Sequence, residues 1–315
     1  MPAGRYPEGM NLDIVLPRLL ASAADVRMPA LERWLARGDA GTLAAASLAE
    51  VLALQYGLPD PPPYAAIAFG SDLLADPVHI EVGQVAAALH DSAALAITPD
   101  EAAALTRDLT RQFTADGIEF QAPLPHRWSV RVPAGEVPAT IPLERALREN
   151  TAAMLPRGTG RIKWPSVLTE IQMFLASHEV NARREDQGKP TINSVWLWGG
   201  GAAPASLPPR YALVHAEDAF TRGLASRSGV RAAPVPAGYA GIDAVGSNQS
   251  VLLVMEDPAG AALDERWFVP LADALRRFDA VQLLLPRRRD TLVSRIGRGA
   301  RWRWMRRSRA LASHA

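Results

Sequence analysis

His178, Asn181 and Arg184 stand at i, i+3 and i+6, a spacing that places side chains along one face of a helix. An imidazole, an amide and a guanidinium together could hold an anion, and Arg184 offers the planar fork that suits phosphate. The same three groups could instead finish a helix terminus by bonding backbone carbonyls and the loop that follows. Asn193, at the entrance of an apolar run, could orient a ligand or close a turn. Trp196 and Trp198 alternate with Val195 and Leu197, so the two indoles share one strand face. They could stack on a ligand or pack in a core. Gly199, Gly200 and Gly201 end this run, at the place where open α/β sheets bind ligands, and glycine there permits close backbone approach. The spacing is not that of a dinucleotide fingerprint, and no Lys-Ser/Thr follows as in a P-loop.

Two further positions could carry chemistry. Ser47 is a candidate vestigial nucleophile, but with Glu50 three residues later it also reads as a helix cap. Asp257, beside Glu256, is a candidate vestige of a metal site, or one of two acids ending a strand in solvent. The six histidines (His79, His90, His126, His178, His215 and His314) show neither i, i+4 pairing nor His-x-Asp spacing, so no local stretch encodes a binuclear metal site. The absence of cysteine removes disulfides, thiolate ligands and a cysteine nucleophile.

The elements that would position these residues alternate between helix and strand. Apolar spacing predicts helices at Met28 to Arg37, with Gly38 as C-cap, and at Ser47 to Tyr56. Thr98 to Phe113 is the clearest helix, with Thr98 as cap, Pro99 at the first position and Glu101 at the third. Val167 to Ser177 follows the same logic, as do Asp218 to Ser226 and Val269 to Phe278. Leu12 to Leu20 is an apolar run that fits either the first core strand or a helix start, while strands are predicted in two runs over Asp76 to Leu95, and as a strand, turn and strand over Gly117 to Val132. Further strands are predicted at Thr191 to Trp198, Tyr211 to His215, Ser250 to Met255 and Ala280 to Leu285. This alternation argues for a largely parallel sheet with helices on both faces.

Composition bounds the rest. The chain has 315 residues, 48% hydrophobic and 21% charged, which suits one large domain or a core carrying an insertion. A net charge of +1 conceals a mildly acidic body and a basic end: ten arginines and one acid, Asp290, lie from Arg287 onward. That end, with Trp302 and Trp304, could contact an anionic partner or form an edge strand with its arginines in water; no nucleic-acid motif is present and nucleic acid is not the expected partner. Neither a signal peptide nor a membrane-spanning run is read, so a soluble cytoplasmic protein is expected.

The stretch from Leu168 to Gly201, LTEIQMFLASHEVNARREDQGKPTINSVWLWGGG, resembles the bacterial family labelled "regulatory protein, RpfE type". His178, Val180, Asn181, Arg184, Asn193, Ser194, Trp196, Trp198 and the three glycines match its pattern, with Glu179 at a position usually proline. That family is similar to the archaeal-type cofactor-independent phosphoglycerate mutases of the alkaline phosphatase superfamily. The resemblance implies a three-layer α/β/α core of alkaline-phosphatase type, formed by residues 1–71 and 190–315, with a smaller α+β domain inserted at 72–189. It also implies a pocket at His178, Asn181, Arg184, Asn193, Trp198 and Gly199 to Gly201, set between core and insertion, for a phosphorylated small molecule.

Mutases of this kind need two metal ions and a serine nucleophile, and the chain departs from their pattern at each such place. Asp13 lies upstream of the expected Asp-Gly; Ser47 is followed by Leu48 rather than an acid; Asp257-Pro258-Ala259-Gly260 is followed by Ala261 where histidine is expected. The expectation is therefore a non-catalytic regulatory or ligand-binding protein with no cofactor. The alternative is a metal-dependent mutase or phosphatase with unusual ligands, in which case a divalent metal is required.

Overall fold

The computed structural model describes residues 10–20, 27–82, 87–90, 92–147, 156–158, 160–242, 249–256, 260–297 and 310–314. The chain divides into two compact units, residues 1–60 with 204–315, and residues 61–203. The first unit begins with β1 (Asn11–Val15), α1 (Pro29–Arg37), β2 (Asp39–Leu43) and α2 (Leu48–Tyr56). The second unit holds α3 (Tyr64–Ala68), β3 (Leu73–Val82), β4 (Ala87–His90), α4 (Ser92–Leu95) and α5 (Pro99–Gln112). It continues with β5 (Glu119–Leu124), β6 (Arg127–Arg131), α6 (Leu143–Ala146), α7 (Trp164–Ala176), α8 (Glu179–Asp186) and β7 (Ser194–Trp198). The chain returns to the first unit with β8 (Leu213–His215), α9 (Ala219–Arg227), β9 (Arg231–Ala233), β10 (Ser250–Val254) and α10 (Gly260–Leu263). A π-helical turn (Asp264–Phe268), α11 (Val269–Ala274), β11 (Ala280–Pro286) and β12 (Thr291–Gly297) complete it.

In the first unit a seven-stranded sheet runs in the order β2-β12-β11-β1-β10-β8-β9. Five neighbouring strands, β11, β1, β10, β8 and β9, are parallel, and β12 and β2 close one side in antiparallel pairing. Strand period decides which residues meet which layer. Leu12, Ile14, Leu213, Val251, Leu253, Val281 and Leu283 face a core shared with α1 (Leu31, Trp34, Leu35) and with Trp267, Phe268 and Leu271. Asn11, Asp13 and Val15 point the other way, where Tyr211 meets the Tyr56 ring of α2 at 6.3 Å between centroids. This is the α/β architecture that helix-strand alternation predicts, with its central strands buried and near-continuously apolar.

Local signals place the helices well. Thr98 Oγ1 accepts the Glu101 N–H, and the Glu101 carboxylate accepts the Thr98 N–H, a complete capping box. At α2 the box is half formed: Ser47 Oγ accepts the Glu50 N–H at 3.3 Å, while the Glu50 carboxylate reaches past Ser47 to the Ala46 N–H at 2.7 Å. Gly38 ends α1 but with extended backbone, not as a left-handed cap. A Cβ there would press on the Ser294 side chain of β12, which would have to move aside.

In the second unit β4-β3-β6-β5 form a sheet that β7 extends by pairing antiparallel with β3, Leu74 opposite Trp198 and Val78 opposite Ser194. Helices α5 and α7 cover one face, burying Leu105, Leu109, Phe113, Val167, Leu168 and Ile171 against Phe120, Trp128, Val130, Val195 and Leu197. The unit is therefore wider than the 72–189 insertion read from sequence, and β7, assigned there to the parallel core, belongs to the inserted sheet. A continuous apolar run fits a buried strand of either sheet; only its hydrogen-bonded neighbour distinguishes them. No helix among the described residues is long and apolar enough to cross a membrane.

Candidate functional site

The conspicuous polar residues of the second unit come together around α8, bonded to one another and to backbone. His178 caps α8: its Nδ1 accepts the Val180 N–H at 3.1 Å, which leaves Nε2 to donate to Asp108 at 3.3 Å. Arg107 foremost, with help from His178 and Arg111, holds the Asp108 carboxyl below its ordinary range. Asn181 bridges two segments. Its amide donates to Leu175 O and Ile192 O, and its carbonyl accepts the Ile192 N–H, each at 2.8 Å. Arg184 is fully buried, donating to Pro190 O, to Leu95 O and, at 2.9 Å, to Glu101. Burial pushes the Glu101 carboxyl up, but the Thr98 N–H and Arg184 outweigh it and the pKa falls.

Asn193 pins the β3 backbone from both sides, accepting the Ile80 N–H and donating to Ile80 O. The face expected to hold an anion is thus a set of fastenings between α8, the loop before α5 and the entry to β7. The reason is satisfaction: buried polar groups seek partners, and neighbouring backbone supplies them at no cost in chain freedom.

Trp196 and Trp198 do share a face, opposite Val195 and Leu197, and both are buried. Trp196 Nε1 donates to Ile141 O. Trp198 belongs to a buried group that the sequence did not reveal. Its Nε1 donates to Asp76 at 2.9 Å, Arg127 forks onto the same carboxylate at 3.3 Å, and Arg127 also donates to the Tyr64 hydroxyl at 2.8 Å. The guanidinium lies 5.1 Å from the Tyr64 ring centre and 5.3 Å from that of Trp198. Burial works against the Arg127 charge; Asp76, Tyr64 and Glu144 outweigh it and raise the pKa above the ordinary arginine value.

Gly199 (φ 71°) and Gly201 (φ 125°) turn the chain in left-handed conformations, and a Cβ on Gly200 would meet Val137 and Leu73 at 2.7 and 2.8 Å. The glycine run is therefore a packed turn lined by Pro63, Tyr64, Leu73 and Val137.

The positions where a mutase would hold metal and nucleophile lie in the first unit. Ser47 Oγ serves the helix cap described above. Asp13 is buried in mid-strand, and its Oδ2 accepts the Tyr211 hydroxyl at 2.8 Å. Asp257, Pro258 and Ala259 lie outside the described residues. His215 Nδ1 donates to Pro234 O, and in the second unit His79 Nδ1 donates to Thr191 O. Among the described residues no three His, Asp or Glu side chains stand together as a metal site requires. Trp302, Trp304 and the arginines between Arg298 and Arg309 also lie outside the described residues.

The first unit does have a cavity, of about 400 Å³, where ligand sites of parallel sheets are found: beyond the carboxyl ends of strands. Glu217 enters it just after β8, Val235 and Ala237 just after β9, and Val254, Met255 and Glu256 from the end of β10. Ala262 and Leu263 of α10 and Arg266 and Trp267 of the π-helical turn form the opposite wall. That turn has an identifiable cause. Pro270 has no N–H to offer the Arg266 carbonyl, and the Val269 N–H bonds Asp264 O five residues back. Asp264 anchors the turn by accepting the N–H groups of Ala30 and Leu31 at 2.8 and 2.9 Å. Sequence reasoning noted Glu256 but missed the cavity. The available signal was the rule that acids directly after parallel strands, here Glu217 and Glu256, stand at a cleft.

No family model matches the chain. It is 27% identical over 198 residues to the 2,3-bisphosphoglycerate-independent phosphoglycerate mutase of Methanosarcina mazei, covering 56% of this chain and 49% of that protein. It is 33% identical over 128 residues to the corresponding mutase of Methanothrix thermoacetophila, covering 34% of this chain and 32% of the relative. The chain thus spans about half, or less, of the length of the curated relatives it matches. Among solved structures it is similar to the PH0037 protein from Pyrococcus horikoshii, with a TM-score of 0.51 at 14% identity, covering 98% of this chain and 92% of that one. In sequence, then, this α/β chain has cofactor-independent phosphoglycerate mutases among its homologues.

Proposed function

We propose that the chain is a non-catalytic, ligand-binding protein of a regulatory kind on a phosphoglycerate-mutase-like scaffold. One observation carries this reading: the serine and the aspartate best placed to be relics of the mutase chemistry are spent on structure. Ser47 Oγ caps α2 and Asp13 holds Tyr211 inside the sheet. A nucleophilic serine needs a base or metal to lower its pKa, and a carboxylate buried in mid-strand against a phenol is poorly placed to supply either. The cavity at the carboxyl ends of β8 and β10 is where a ligand would sit.

The test is turnover of 3-phosphoglycerate and of p-nitrophenyl phosphate by the full chain, with Mn²⁺, Co²⁺ or Zn²⁺ supplied and metal content measured. No metal-dependent turnover is expected, and Ser47→Ala should lower stability by about 1 kcal/mol, as loss of a helix cap does. Stoichiometric metal with turnover abolished by Ser47→Ala would overturn the reading and establish a mutase or phosphatase with unusual ligands.

A further inference from the structure

The cavity of the first unit says more than that a ligand fits. Among its described lining residues, Val235, Ala237, Val254, Met255, Ala262, Leu263 and Trp267 present apolar surface. Among the described lining residues the charged groups are two carboxylates, Glu217 and Glu256, and one guanidinium, Arg266, all on exposed residues. Glu217 is held in place, its Oε1 accepting the Val235 N–H at 3.0 Å. Trp267, only 2% exposed, is fixed by the core beneath, because the π-helical turn carrying it is tied to α1 through Asp264. A floor of fixed apolar side chains with a few charged groups is the usual form of a site for a compact apolar molecule.

Phosphate sites are built differently, from several N–H donors or from Arg and Lys without competing acids. Here a phosphorylated metabolite would place its charge beside Glu217 and Glu256 and its polar body against methyl and indole surface, with one arginine in compensation. Burying polar groups against apolar walls without partners is costly. An apolar body buried over Trp267 and Leu263, with a neutral or cationic head at the carboxylates, meets neither penalty.

We infer that this cavity binds a small apolar, unphosphorylated molecule whose head group is neutral or positively charged. The inference rests on the ligand-binding reading above and names the ligand class of that site. Calorimetric titration of the full chain with four probes tests it: 2-naphthylmethylamine, 2-naphthalenemethanol, 2-naphthyl phosphate and inorganic phosphate. The amine and the alcohol should bind at least about tenfold tighter than the naphthyl phosphate, with inorganic phosphate weaker still. Ala237→Trp, at an exposed lining position, should lower amine and alcohol affinity about tenfold by filling the mouth. Glu256→Gln should weaken the amine relative to the alcohol without changing the fold. Tightest binding by either phosphate, absence of binding by all four probes, or affinity indifferent to Ala237→Trp would overturn it. Metal-dependent turnover in the separate activity assay would instead overturn the non-catalytic reading, so the two failures are distinguishable.

Discussion

The surroundings of α8 and the cavity beside β10 differ in an instructive way. Around α8 lie the residues richest in potential chemistry, yet His178, Asn181 and Arg184 are at most 8% exposed and bond to protein groups. Beside β10 there is room for a ligand, but the walls are mostly apolar and the charges stand on exposed residues. A reactive residue type marks a functional site only when some of its bonding capacity is left for a ligand. In the second unit that capacity goes to holding loops to strands.

The contrast can be broken most directly at Arg184. Arg184→Met keeps much of the volume but leaves two backbone carbonyls without their donor and the Glu101 carboxylate with the Thr98 N–H and no cation. A loss of about 3 kcal/mol is expected from urea unfolding of the full chain, in line with removing one partner of a buried pair. A loss under about 1 kcal/mol would mean that Arg184 is spare and return α8 to the list of ligand sites.

Trp198→Phe tests the neighbouring Asp76 group at somewhat smaller cost. It keeps an aromatic ring beside Arg127 but deletes the N–H given to a fully buried carboxylate, for an expected loss of about 1–3 kcal/mol in the same measurement.

Acid should weaken the second unit. The N–H groups of Ile162 and Arg161 hold the Glu136 carboxyl below the usual range, and the Glu101 and Asp108 carboxyls are lowered as well. Each is a carboxyl with a depressed folded-state pKa. Its contribution is present above the unfolded value, about 4 for such groups, and is lost as pH falls through the folded value. Melting temperature measured from pH 6 downward should therefore drop below about pH 4, and Glu136→Gln should make that drop shallower. An unchanged acid limb in Glu136→Gln would remove Glu136 from the account.

Helices with local signals were legible from the chain alone. Thr98, Pro99 and Glu101 announce α5 within four residues, and the helix read over Asp218 to Ser226 is α9, which Asp218 caps. The period of two in Trp196-Leu197-Trp198 was also legible, since both indoles are buried on one face. The sheet that receives β7 was not: its partner β3 lies more than a hundred residues away, and a run of four apolar residues satisfies either sheet. Nor could the sequence show that Arg127 bonds both Tyr64 and Asp76, a group assembled from three separate segments.

What the sequence determined by itself was the class of the molecule: strand-helix alternation, caps, apolar periods and departures from the mutase pattern at Asp13, Ser47 and Ala261. These are local properties, set by neighbours within a few positions. Tertiary structure alone decided which polar groups are satisfied and which space is left open. Arg184 is consumed because Leu95 and Pro190 come to it, and the cavity is walled on one side by a π-helical turn that Asp264 ties to α1. Satisfaction and empty volume are properties of what lies opposite a residue, and in a folded chain what lies opposite is supplied from far along the sequence.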